Sequence, residues 1–169
     1  VATIRPFRGL RYNPAKIADL SLVITQPYDK ITPEMQARYY EKHPQNYVRL
    51  IFGREPDRYE ESLQTYNRWI EEGILIKDSE PSLYPYTQTY LAEGHPVTRT
   101  GFITAIKLHP YEDKVVLPHE RTLKGPKEDR FKLYAKTLKD YEHVFMLYGA
   151  PRRRVEKLFE KEMASKPLL

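Results

Sequence analysis

Leu83-Tyr84-Pro85-Tyr86-Thr87-Gln88-Thr89-Tyr90-Leu91 sets tyrosines on one side and smaller residues on the other, which is the period of a strand. Glu93-Gly94-His95-Pro96 then supplies turn chemistry, and Thr98 to Leu108 reads as the returning strand. A hairpin in mid-chain argues against a purely parallel sheet, because parallel neighbours are joined by long crossovers rather than turns. Strand and helix patterns interleave on both sides of it. The fold class expected is α+β, a mixed and mostly antiparallel sheet with flanking helices.

Upstream, Leu20 to Thr25 reads as a short strand ending at Gln26-Pro27-Tyr28-Asp29. Thr32, followed by Pro33 and Glu34, is a helix start with threonine as N-cap and proline at the first helical position. That helix is expected to stop near His43, since Pro44 restricts the residue before it. Tyr47 to Phe52 reads as a strand bounded by Gly53, and Tyr59, Leu63, Tyr66 and Ile70 recur at helical spacing before a stop at Gly73. Downstream, Val115 to Leu117 reads as a short strand. Phe131, Tyr134, Leu138 and Tyr141 mark a helix face, and His143 to Tyr148 reads as a buried strand. Val155, Leu158, Phe159 and Met163 mark a last amphipathic helix.

At 169 residues the chain is one domain's worth, 1–169, with no internal repeat. It opens on Val1 and ends on Lys166-Pro167-Leu168-Leu169, and the expectation is the N-terminal portion of a longer protein. The absence of cysteine removes disulfides, thiolate catalysis and thiolate metal sites together. No apolar run approaches the roughly 18 residues of a membrane span, and no signal-peptide pattern opens the chain. A cytoplasmic protein with no membrane partner is expected. The net charge of +5 arises wholly from Lys124 onward, where twelve Lys/Arg meet seven Asp/Glu, leaving sixteen of each before it. The densest run is Arg152-Arg153-Arg154. Such a patch suits nucleic acid, phosphorylated ligands or an acidic partner; it equally suits a solvated helix face.

The chemistry concentrates in Leu117-Pro118-His119-Glu120-Arg121-Thr122-Leu123-Lys124-Gly125-Pro126-Lys127-Glu128-Asp129-Arg130. An imidazole, a carboxylate, a hydroxyl and several cations surround a Gly-Pro pair, and an apolar periodic segment follows at once. Cations and backbone N–H groups that converge where a helix begins make an anion site, favoured by the helix dipole. A charged surface turn is the other reading, since this is no Walker pattern. Asp29, just after a strand end and just before a helix, suits a general base or metal ligand; it also suits a turn residue that caps backbone N–H groups. Were Asp29 and Glu120 to meet, one could take a proton from a substrate hydroxyl while the other held Mg²⁺. Arg121, Lys124, Lys127 and Arg130 would then neutralise phosphate charge, the main device of phosphoryl transfer. Asn46, Tyr47 and Arg49 could add donors. The five histidines show no HxxxH or HxH spacing, so no metal site is assigned to them. With 7 glycines there is no dinucleotide fingerprint, and no GxSxG elbow occurs.

Several of these stretches together resemble a known family. They are Pro27-Tyr28-Asp29, Asn46-Tyr47-Val48-Arg49-Leu50, Trp69 with Glu72-Gly73-Ile74-Leu75, and Leu83-Tyr84-Pro85-Tyr86. Arg99-Thr100-Gly101-Phe102-Ile103, Pro118-His119-Glu120-Arg121-Thr122 and Gly125-Pro126-Lys127-Glu128-Asp129-Arg130 complete the order. The chain resembles the domain-of-unknown-function 1015 family of bacteria and archaea from Ile4 to about Tyr148. Gln26 and Lys30 depart from the family, which tends to have a small or Pro residue and Val there. The resemblance implies no established activity. A weaker similarity links the family to a free-serine kinase and to the superfamily of the ParB partition proteins and sulfiredoxin, whose fold it implies here. In that superfamily a Glu-Arg-containing loop before a helix binds nucleotide phosphates. By that similarity Glu120, Arg121 and Thr122 fall on the phosphate loop and Asp29 near the reacting group. Sulfiredoxin chemistry itself needs a cysteine, which this chain lacks.

The function expected is a nucleotide-binding domain acting as a Mg²⁺-dependent kinase on a small hydroxyl-bearing metabolite such as a free amino acid. Its nucleotide would be ATP, ADP or CTP. Asp29 or Glu120 is the expected catalytic residue. His119, Arg121, Thr122, Lys124, Lys127, Arg130 and Arg49 are the expected phosphate ligands. The alternative is a nucleotide- or nucleic-acid-binding module without chemistry.

Overall fold

The computed structural model of the protein describes residues 1–54, 56–118, 121, 123–150 and 152–164. Two compact units emerge. The first comprises Val1–Gly9, Asp78–Leu117 and the chain from His143 on; the second comprises Leu10–Lys77 and Pro118–Glu142. The architecture is α+β, with antiparallel two-stranded pairs and flanking helices.

In the first unit β4 (Tyr84–Ala92) and β5 (His95–Ile103) form the hairpin, in register from Tyr84↔Ile103 to Ala92↔His95. Its turn is only Glu93-Gly94, both left-handed (φ 51° and 80°), the two-residue geometry that matches strand twist. The turn is therefore tighter than the sequence suggests, and Pro96 sits inside β5. Each strand of a two-stranded pair has an open edge, where a proline without an N–H is tolerated. The return strand ends at Ile103, and β6 (Ala105–Ile106) pairs instead with β1 (Ile4–Arg5). Neither Val115–Leu117 nor 143–148 is a strand. Lys114 takes a left-handed conformation that breaks the extended run into the first. The second is exposed rather than buried, Val144 at 83%. Its Tyr148 ring meets Phe102 edge-on and its Phe145 ring lies under the Arg99 guanidinium. The last helix, α5 (Arg154–Met163), forms as its periodicity predicts and sets Phe159 against Phe102.

The second unit holds the core, which centres on Trp69, Leu50, Val48 and Val23. Thr32 caps α1 (Pro33–Lys42) by accepting from the Met35 N–H, with Pro33 in the first turn and His43 as C-cap, as expected. α3 (Arg58–Glu71) ends in a full C-terminal motif. Gly73 at φ +67° donates to Ile70 O, and Ile74 N donates to Trp69 O, so orphan carbonyls are satisfied by the reversal. The chain then enters β3 (Leu75–Lys77), which pairs antiparallel with β2 (Leu10–Tyr12).

Two expected strands here are not strands. Leu20–Leu22 is a 3-10 turn, because Asp19 accepts from the Ser21 N–H and both Val23 N and Ile24 N return to Leu20 O. Tyr47–Phe52 contains the four-residue helix α2 (Val48–Ile51). Val48, Leu50 and Ile51 are all buried, so the segment has no polar face to reveal its period. Asn46, fully buried, decides the matter: its Oδ1 accepts from Val48 N at 3.1 Å and its Nδ2 donates to Leu22 O at 2.8 Å. α4 (Lys124–Thr137) forms where expected but buries a different stripe. Leu133 and Thr137 are inside, while Phe131 and Leu138 are 71% and 70% exposed. Ion pairs of Asp129 with Arg58 and of Lys136 with Glu60 dock α4 on α3 and set that rotation.

Asn46→Ala removes both bonds and strands the buried Val48 N–H. It should cost about 1–3 kcal/mol, read as a lower urea midpoint with an unchanged slope.

Candidate functional site

α4 opens in an unusual electrostatic state. Its N-cap is Leu123 in extended backbone, whose side chain accepts nothing from the first N–H groups, and no acidic residue stands in the first turn. Lys124 and Lys127 stand there instead, with Arg121 just before them; all three are exposed. Cations oppose the dipole at a helix N-terminus, whereas an anion is favoured there by dipole and cations together. Among the described residues, Lys124 has one carboxylate within reach, Glu128 at 3.7 Å. Lys127 N closes the first turn on Leu123 O at 3.2 Å. His119, Glu120 and Thr122 lie outside the described residues.

One turn further, α4 carries a charge network. The Asp129 carboxylate accepts from Tyr59 Oη at 2.7 Å and from the guanidinium of Arg58, and it pairs with Arg130. Arg130 also donates to Ile51 O at 2.7 Å, lies 3.5 Å from Glu142, and stacks 3.5 Å over the Tyr28 ring. Burial pushes the Asp129 carboxyl up, but the bonds from Arg130 and Tyr59 and the charges of Arg130 and Arg58 outweigh it, leaving it below the usual carboxylate range. Burial raises Tyr28; Arg130 opposes the rise, while Asp129, Glu142 and Asp29 add to it.

Asp29 follows Tyr28 in the 3-10 turn Tyr28–Lys30 and is exposed. The fold therefore brings the Asp29 turn to Arg130, 101 positions away in sequence, through the Tyr28 ring. Arg49 is placed elsewhere. It sits on α2, donates to Tyr40 O at 3.1 Å and stacks on the Tyr40 ring rather than joining the lysines of α4. Tyr28, Arg58, Tyr59 and Asp129 belong to the network although the sequence does not single them out as ligands. Asp129 beside Arg130 was visible as an ion-pair candidate, but no local signal ties either to Arg58, some seventy residues earlier.

The lowered Asp129 carboxyl has a pH consequence. Its stabilisation is fully present above the unfolded-state pKa and is lost as pH falls through the lower folded value. Asp129→Asn should be less stable than the native protein near neutrality and should show a flatter loss of stability below roughly pH 4, measured by urea unfolding across that range.

No curated protein and no solved structure matches the chain. The family described as "Protein of unknown function (DUF1015)" has a model that matches residues 4–169, past the Tyr148 limit of the resemblance. With nearly every residue inside that match, the chain belongs to the DUF1015 family.

Proposed function

We propose that the protein binds a nucleotide through the segment that leads into α4 and transfers a phosphoryl group to a small hydroxyl-bearing metabolite. The observation that carries this reading is the start of α4, where exposed Arg121 precedes a first turn that holds exposed Lys124 and Lys127, with no acidic residue in that turn and no hydrogen bond to the Leu123 cap side chain. Phosphates on free N–H groups at a helix start use the dipole and the cations at once.

Asp29 is the group proposed to accept the hydroxyl proton as oxygen attacks the transferred phosphorus, the nucleotide leaving as its product with one phosphate fewer. Mg²⁺ in such sites takes one or two protein carboxylates and completes its shell with phosphate oxygens and water. Glu120 is the carboxylate proposed for that shell, which leaves Asp29 to take the proton. The metal would neutralise charge on the transferred group. His119 and Thr122 complete the proposed phosphate set, and Arg130 supports it by holding the Tyr28–Asp29 turn. A second reading, a nucleic-acid-binding module, rests on the exposed run Arg152 to Arg154.

A thermal-shift panel of ATP, ADP, CTP and GTP with Mg²⁺ tests the reading. Ligand at a hundredfold excess over Kd adds about 2.7 kcal/mol, which for a chain of this size raises Tm by roughly 5–10 °C. Arg121→Ala should abolish the shift. Asp29→Asn should keep the shift and lose turnover. No shift with any nucleotide sinks the proposal, and duplex binding that falls steeply with salt favours the second reading instead.

A further inference from the structure

The arginines of the second unit divide into two kinds. Arg58 and Arg130 share the Asp129 carboxylate, and Arg130 reaches Glu142 as well. Arg49 and Arg54 have no carboxylate within ion-pair distance among the described residues. Yet both converge on one ring: each guanidinium carbon is 4.1 Å from the centroid of Tyr40, so at most twice that distance separates them. Two like charges held this close, one of them partly buried, repel each other more than they would in bulk water. Buried arginine is ordinarily paired.

The donors there are also unfilled. Arg49 Nε is buried without a hydrogen-bond partner, and the buried Tyr40 hydroxyl, approached by the Arg54 backbone N–H, has no acceptor for its own proton. Tyr40 is only 8% exposed, so it cannot swing out to reach one. Burial raises its pKa and Glu61 adds to that, while Arg49, the Arg54 backbone and the Arg54 guanidinium pull it down. Glu61 is thus near, yet forms no ion pair with either arginine within 4.0 Å. The backbone that carries Arg54 is pinned. Gln36 Nε2 donates to both Phe52 O (2.9 Å) and Gly53 O (3.0 Å), and a Cβ on Gly53 would stand 3.1 Å from Arg58 O.

We propose that Arg49, Arg54 and the Tyr40 hydroxyl form an anion site that takes a dianionic phosphate group. Two guanidinium ions match its charge, and their planar N–H forks match its oxygens. The site shares no residue with the α4 segment except through the expectation that placed Arg49 in the nucleotide set. It stands whether or not that segment binds nucleotide.

The test is calorimetric titration of the full chain with inorganic phosphate at constant ionic strength, with sulfate and chloride as controls and glycerol 3-phosphate in parallel. Phosphate should bind the native protein in preference to chloride. Arg54→Gln, at an exposed position where folding is retained, should weaken binding at least tenfold, and Arg49→Lys several-fold with an unchanged circular-dichroism spectrum. With Arg121→Ala as a shared background that removes the phosphates' hold at α4, Arg54→Gln should still weaken phosphate binding at least tenfold, which separates this site from the nucleotide reading. Tighter binding of glycerol 3-phosphate identifies a phosphate monoester as the ligand; tighter binding of inorganic phosphate identifies the free ion. Native binding by Arg54→Gln, equal phosphate binding by Arg121→Ala with and without Arg54→Gln, or no phosphate-specific heat at all overturns the proposal.

Discussion

The segment 48–53 is held by side chains from three different helices, and the second unit is organised around that fact. A helix of four residues leaves nearly all its carbonyls without partners of its own. Ser62 of α3 donates to Leu50 O at 2.7 Å, Arg130 of α4 donates to Ile51 O, and Gln36 of α1 bridges Phe52 O and Gly53 O. At the other end Asn46 caps Val48 and ties the segment to Leu22. Buried carbonyls without partners are costly, so each bond constrains which helix can pack where. α1, α3 and α4 are thereby gathered on one buried turn.

The same hub explains the charges. Arg130 is drawn inward by Ile51 O and by Asp129, and in that position its guanidinium covers the Tyr28 ring and its Asp29 turn. Arg58 follows Asp129. Arg49 and Arg54, by contrast, share the Tyr40 ring with no carboxylate within ion-pair distance among the described residues. Arginines with and without a carboxylate in reach thus occupy the same unit.

Much of the local structure was legible beforehand. Thr32-Pro33 marks its helix because a cap and a preset φ act within a few residues. Gly73 ends α3 because glycine adopts the left-handed reversal without strain. The hairpin is legible because alternation and a Glu-Gly turn are both local signals. Tyr47–Phe52 was not, since burial on every side erases the periodicity that separates helix from strand. The face of α4 was not either. Phe131, Tyr134 and Leu138 form the more apolar stripe, but Asp129, Arg130 and Lys136 find partners that rotate it outward. For the candidate site, the cations before and within the first turn of α4 were legible as a motif. The stacking of Arg130 on Tyr28, next to Asp29, was not.

By itself, then, the sequence determined the α+β class, the caps and turns, the family resemblance and the concentration of cations near 121–130. Each follows from interactions spanning a few residues or from a pattern of residue types. Only the tertiary structure decided that α2 is a helix, that Arg130 lies over Tyr28 while Arg49 and Arg54 share Tyr40, and which side of α4 is buried. Those outcomes depend on hydrogen bonds and ion pairs between residues far apart in the chain, and a pairing that distant leaves no local trace in the sequence that produces it.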